Sequence, residues 1–148
     1  MGDAPISILL VDDDEIDTLL FQRAVKSSGL SWQVSTAFDG VQALEYLNTS
    51  GNASGPGRPK LVLLDWKMPR LGGREVLKAI KVDANLRSIP VIVLTSSDDP
   101  VDVVEAYRLG ANTYIRKPAD LLQLKNLLKA IDNFWFGVVI LPPQSPAP

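Results

Sequence analysis

Short, nearly unbroken apolar runs recur along the chain at residues 8–11 (ILLV), 61–64 (LVLL) and 91–94 (VIVL), with weaker ones at 32–37 and 113–116. Runs this short and this rich in branched side chains suit strands covered on both faces. Between them, apolar positions fall at helical spacing. Ile16, Leu19, Leu20, Ala24 and Val25 mark a first helix, Val41, Leu44 and Leu47 a second, and Val76, Leu77 and Ile80 a third. Val101, Val104 and Leu109 outline a fourth, and Leu121, Leu124, Leu128, Ile131 and Trp135 a fifth. The order reads strand then helix, five times over.

Start and stop signals agree with this pattern. Asp14 followed by Asp17 resembles a capping box with a shorter acid, and Asp99-Pro100 places a cap before a proline at the first helical position. Gly29, Gly40 and Gly110 fall where turns and helix ends need a permissive backbone. Such units, joined by right-handed crossovers, make a parallel sheet with helices on both faces, so the predicted fold class is α/β, doubly wound. Two stretches stand outside the pattern. Residues 49–59 (TSGNASGPGRP) read as a loop, and their glycines neither follow a strand nor open a helix as a phosphate-binding loop would. Residues 142–148, four of them proline, read as a disordered tail.

A chain of 148 residues fits one domain, here 1–141, around one core. Lys and Arg total 15 against 17 Asp and Glu, a net charge of -2 with no block of like charge, which argues against a nucleic-acid partner held through phosphates. Cysteine and histidine are absent, so disulfides, Cys/His zinc sites, His-based triads and a phosphohistidine on this chain are excluded. No apolar run reaches the ~18 residues of a membrane span, and residues 6–11 lack a signal peptide's basic flank. A soluble cytoplasmic protein with no membrane partner is the expectation, and the Asn-x-Ser sequons at Asn48 and Asn52 read as chance matches.

The strong runs end on polar residues: Asp12 and Asp13 after the first, Asp65 after the second, Thr95 after the third, with Lys117 closing the last strand. In a parallel sheet these ends share one edge, where ligands of open α/β sheets bind. Three carboxylates brought together repel one another and either hold a proton or recruit a cation. Oxygen-only ligation without His or Cys favours Mg²⁺ or a similar hard ion. Asp65 would then stay ionised as a nucleophile toward a phosphoryl group, with Lys117 and the Thr95 hydroxyl suited to hold the phosphoryl oxygens. Taken singly, each aspartate is an ordinary helix cap, Lys117 a solvated side chain and Thr95 a strand end. Their conjunction at one edge carries the inference.

The segments ILLVDDDE, LLDWKMP, VLTSS and YIRKP, in this order and spacing, resemble the CheY-like receiver domain of two-component response regulators, over residues 6–133. The resemblance implies a flavodoxin-like five-stranded parallel sheet in the order 2-1-3-4-5. It makes Asp65 the phosphoacceptor, Asp12 and Asp13 the acidic pair for Mg²⁺, and the backbone carbonyl of Lys67 a further metal ligand. It makes Thr95 and Lys117 the phosphoryl contacts and Tyr114 the aromatic switch that moves with Thr95. A cis peptide between Lys117 and Pro118 would aim the lysine inward. Arg70-Leu71-Gly72-Gly73 stands where an Asp-Gly pair is common, and Ser96 is small enough to leave the site accessible. Residues 49–59, 73–77, 86–90 and Phe134-Trp135-Phe136 are similar to single-domain regulators of bacterial phytochrome histidine kinases, which implies such a kinase as partner in a phosphorelay, with no output domain.

Residues 134–141 (FWFGVVIL) carry no polar side chain and lie past the point where a receiver fold is complete. So much contiguous apolar surface is rare on a monomer. Phe134, Trp135, Phe136, Val138 and Ile140 are expected at a homodimer interface, with folding back over the chain's own core as the competing reading. Two other function classes stand against the receiver. An aspartate-nucleophile phosphatase would want a general acid two residues past Asp65, where Lys67 stands, and a phosphorylation-independent scaffold would not need the intact set of site residues.

Overall fold

The computed structural model describes residues 5–50 and 58–142. Five strands alternate with five helices: β1 (Ile6–Val11), α1 (Glu15–Ser27), β2 (Trp32–Ala37), α2 (Gly40–Ser50), β3 (Leu61–Leu64), α3 (Gly73–Val82), β4 (Val91–Thr95), α4 (Pro100–Arg108), β5 (Thr113–Arg116) and α5 (Leu121–Asn133). A π-helical turn (Phe134–Val138) continues α5. All strand pairs are parallel, in the order β2-β1-β3-β4-β5. The α/β, doubly wound expectation and its strand order both hold.

Alternation along the strands sorts the apolar runs onto two layers. Leu9, Val11, Val62, Leu64 and Val93 point toward α2, α3 and α4, where Ala43, Leu47, Val76, Leu77, Ile80 and Ala106 meet them. Ile8, Leu10, Leu61, Leu63 and Ile92 point toward α1 and α5, against Phe21, Ala24, Leu128 and Ile131. Each central strand is therefore buried on both faces, which is why its sequence reads as an unbroken apolar run.

Two helices are turned differently from the expectation. On α1 the buried residues are Thr18, Phe21, Ala24 and Val25, while Ile16 and Leu19 are 70% and 59% exposed. The cap fixes this phase: Asp14 accepts from the Asp17 N–H at 3.0 Å, and Phe21 then stacks near Trp32 at 6.3 Å between ring centroids. Thr18 is tolerated inside because its hydroxyl donates to the Asp14 carbonyl at 2.9 Å. On α4 only Ala106 is buried, and Val101 and Val104 face outward. The helix still begins as expected, with Asp99 accepting from the Val101 N–H and Pro100 in the first turn.

Gly29 and Gly110 take positive φ, 69° and 108°. Gly40 is required for a different reason, since a Cβ there would lie 2.4 Å from the Leu71 carbonyl oxygen. Thr49 and Ser50, expected in a loop, belong to the last turn of α2. The remainder of that loop over 51–57, the Asn52 sequon and the tail over 143–148 lie outside the described residues. Of the terminal apolar residues, Trp135 and Phe136 pack onto the α1/α5 layer, with the Phe136 ring 6.1 Å from Trp32 in an edge-to-face contact. Trp32 Nε1 also donates to Asp132 at 2.8 Å, so the end of α5 is tied to β2. Folding back thus accounts for two of the five expected interface residues, and Phe134, Val138 and Ile140 remain exposed.

Candidate functional site

The strand order reverses between β1 and β3, and their carboxyl ends stand level because Val11 pairs with Leu64. Ladder hydrogen bonds continue one residue past the strands. The Asp12 N–H donates to Ala37 at 3.0 Å, the Asp65 N–H to Val11 at 2.9 Å and the Lys117 N–H to Thr95 at 2.8 Å. The backbone therefore delivers Asp12, Asp65, Thr95 and Lys117 to one edge before any side chain interacts.

There the side chains converge. Asp12, Asp65 and Thr95 are buried and Asp13 is exposed. One oxygen from each of Asp12, Asp13 and Asp65 lies within 4.8 Å of the others. Lys117 Nζ lies 2.9 Å from Asp12 Oδ2 and 3.2 Å from Asp65 Oδ2, and also 2.7 Å from Asp17 Oδ2. The remaining carboxylate oxygens are engaged by the backbone: Asp12 Oδ1 accepts from the Asp14 N–H and Asp65 Oδ1 from the Trp66 N–H, at 2.9 and 2.8 Å. A crevice of about 540 Å³ opens over Asp13, Asp65, Thr95 and Lys117.

Burial pushes the Asp12 carboxyl up to about 6, against the pull of the Asp14 N–H and of Lys117, with the Asp65 charge adding to the rise. Burial works against the Lys117 charge, but its bonds to Asp17 and Asp12 outweigh this and hold its pKa above the ordinary value. Three carboxylates around one ammonium leave an excess of negative charge that a divalent cation would neutralise. The donor set, all oxygen with two buried carboxylates and one exposed, fits a hard cation.

Around this centre the wall toward α4 is polar. The Tyr114 hydroxyl donates to the Ser97 carbonyl at 2.8 Å, Ser97 Oγ donates to Asp102 at 2.6 Å, and Lys67 Nζ lies 3.5 Å from the same carboxylate. Burial raises the Tyr114 pKa, with the Asp102, Asp65 and Asp98 charges in the same direction. The peptide between Lys117 and Pro118 is trans, unlike the cis form expected: no cis bond occurs among the described residues. Lys117 still reaches the carboxylates because its direction is set by the ladder bond to Thr95.

The sequence marks Asp17 only as a partner in the cap; its place beside Lys117 comes from the structure, and its one local signal is an acid on the first turn of the helix that leaves the Asp12-Asp13 edge. Two supports of the β3–α3 loop also have no signal in the sequence. Arg70 adopts φ 65°, the one positive φ at a non-glycine among the described residues, and its guanidinium pairs with the buried Asp39, whose other oxygen accepts from the Gln42 N–H at the start of α2. Gly73 packs so closely that a Cβ would lie 2.3 Å from the Asp65 carbonyl oxygen, so its effect reaches the backbone of the site as well as the start of α3.

Comparison with known proteins agrees with this architecture. The response regulator receiver domain family matches residues 8–131. Response regulator Rcp1 of Synechocystis sp. is 38% identical over 138 residues, covering 93% of this chain and 94% of its own. The crystal structure of the phosphorylated cyanobacterial phytochrome response regulator RcpA is similar with TM-score 0.85 and 41% identity, covering 95% of this chain and all of RcpA. The Mn²⁺-bound form of Rcp1 is similar with TM-score 0.81 and 38% identity, over 94% of this chain and all of that one. Sequence and three-dimensional similarity extend together over nearly the whole length, and the chain belongs to the response regulator receiver domain family.

Proposed function

We propose that this receiver accepts a phosphoryl group on Asp65 from the phosphohistidine of a sensor histidine kinase, and that the kinase is of the bacteriophytochrome type. The observation that carries the reading is that Asp13, Asp65, Thr95 and Lys117 line one crevice, with Lys117 Nζ 3.2 Å from Asp65, and that the buried Asp12 joins the same carboxylate cluster and lies 2.9 Å from Lys117. Similarity to phytochrome response regulators over most of the chain supports the choice of kinase. Asp12, Asp13, Asp65 and the Lys67 carbonyl would hold Mg²⁺, which when bound neutralises charge on the phosphoryl oxygens.

An Asp65 carboxylate oxygen attacks phosphorus. A new oxygen–phosphorus bond forms, the donor's nitrogen–phosphorus bond breaks, and its electron pair stays on the departing imidazole. Lys117 and the Thr95 hydroxyl hold the phosphoryl oxygens, and the Trp66 N–H keeps the Asp65 carboxylate oriented. The chain acts only on itself, in the cytoplasm beside its kinase. Phosphorylation adds about one to two negative charges next to Lys117 and Thr95. Thr95 and Tyr114 then rearrange together, and the polar wall through Ser97 and Asp102 follows.

The same reading includes a homodimer. Phe134, Val138 and Ile140 are exposed at one end, and Val101, Val104 and Tyr107 are exposed on α4. Acetyl phosphate with Mg²⁺ tests the chemistry by intact mass. A gain of one phosphoryl group, lost with chelator and in Asp65→Asn, is expected; a label that survives in Asp65→Asn overturns it. Serine substitutions at Phe134, Val138 and Ile140 test the dimer by mass in dilute solution without removing Trp135 and Phe136 from the core.

A further inference from the structure

An ammonium has three N–H donors and no acceptor. At Lys117 three carboxylates lie within ion-pair reach, and the shortest contact is not to a group that the proposed chemistry uses. Nζ lies 2.7 Å from Asp17 Oδ2, against 2.9 Å to Asp12 and 3.2 Å to Asp65. Asp17 reaches in from the rim: its side chain is 36% exposed, and those of Lys117 and Asp65 are 15% and 9%. Its backbone N–H is held by the Asp14 cap at 3.0 Å, so the carboxylate projects from a fixed point on the first turn of α1.

We infer that Asp17 is a positioning residue that holds the Lys117 ammonium on the α1 side of the crevice and sets how much of it is available to an incoming phosphoryl group. This rests on the reading of Asp65 as phosphoacceptor. A phosphoryl oxygen can bond Lys117 only by displacing one of the three carboxylates. Asp12 and Asp65 share their charge with any cation in the site, and Asp17 is outside that cluster. It is therefore the acceptor that competes most directly with the phosphoryl group. Without it, the ammonium settles fully on Asp12 and Asp65 when the crevice is empty, and turns to the phosphoryl oxygens when a donor is present.

The test compares wild type with Asp17→Asn, Glu15→Gln, Lys117→Ala and the double variant Asp17→Asn/Lys117→Ala. Glu15 lines the same crevice and supplies the control for loss of a rim charge. Labelling by acetyl phosphate at saturating Mg²⁺ is followed by intact mass over a range of donor concentrations. Asp17→Asn is expected to speed labelling about three-fold at low donor, the size of a partly exposed ion pair, with the maximal rate changed less. Glu15→Gln is expected to stay close to wild type. Mn²⁺ affinity, measured without donor on all five proteins, is expected to fall about three-fold in Asp17→Asn as the ammonium moves onto the acidic cluster. In the Lys117→Ala background the same substitution is expected to change nothing. Wild-type labelling and Mn²⁺ affinity in Asp17→Asn overturn the inference, as does an equal change with and without Lys117. Absence of any wild-type label, or a label that persists in Asp65→Asn, defeats the phosphoacceptor reading instead and leaves the Mn²⁺ comparison to decide the role of Asp17.

Discussion

Strands β3 and β4 bury every side chain, whereas β5 buries none fully and α4 buries only Ala106. The floor of the crevice thus stands on close-packed apolar layers, and its wall toward α4 is held by exchangeable polar contacts: Tyr114 to Ser97, Ser97 to Asp102, Lys67 to Asp102 and Arg116 to Asp98. Packed layers resist small displacement, while a hydrogen bond or exposed ion pair contributes about 1 kcal/mol or less and can be traded for another. A charge added at Asp65 would leave the carboxylates where they are and be answered by the wall. On the proposed function, rigidity and response fall to the two sides of one pocket.

Substitution should expose this contrast most strongly in stability. Leu64→Ala, at a wholly buried position of β3, should cost about 2–5 kcal/mol, whereas Val104→Ala on the outer face of α4 should stay within about 0.5 kcal/mol, both read from urea unfolding. Equal losses would erase the distinction. Gly73→Ala drives a methyl group against the Asp65 carbonyl and should cost about 1–3 kcal/mol in the same assay. It should also slow labelling of Asp65 at temperatures where the chain remains folded.

The buried Asp12 adds a pH dependence to the floor. The Asp12 carboxyl keeps its proton up to about 6 in the folded chain but ionises near 3.8 when unfolded. Across that interval the folded state binds more protons, so this group removes stability as pH rises and the loss is complete above about 6. With chelator present, Asp12→Asn should gain on wild type as pH climbs through the window, and Mg²⁺ should return stability to the wild type alone. A difference between the two proteins that stays flat with pH would place the burial of Asp12 in doubt. A modest effect belongs to the wall: Tyr114→Phe removes one hydrogen bond to Ser97 and should cost about 1 kcal/mol with labelling of Asp65 retained.

The division was only half legible in the sequence. The central strands, the caps at Asp14 and Asp99 and the gathering of Asp12, Asp13, Asp65, Thr95 and Lys117 follow from short apolar runs ending on polar residues, because burial on both faces leaves a strand no other composition. The outer faces of α1 and α4 were not legible, since Ile16, Leu19, Val101 and Val104 fit a helical repeat whichever side is buried. Only the phase fixed by Asp14 and by Phe21 against Trp32 selects it. Asp17 escaped for a related reason: its carboxylate acts through a partner a hundred residues away. The φ of Arg70 has no local signature, because it depends on Asp39 across the chain. At the C-terminal end the apolar run was plain, but the split between Trp135 and Phe136 inside and Phe134 outside depends on where α5 stops.

The indole of Trp66 directly follows Asp65 and is packed in the α2/α3 layer, while Trp32 and Trp135 belong to the opposite layer. Replacing those two by phenylalanine leaves a single tryptophan, bonded through its own backbone N–H to the Asp65 carboxylate. The protein thereby carries an intrinsic optical probe beside Asp65, whose fluorescence would follow the proposed cation binding and phosphoryl transfer in real time without any attached dye.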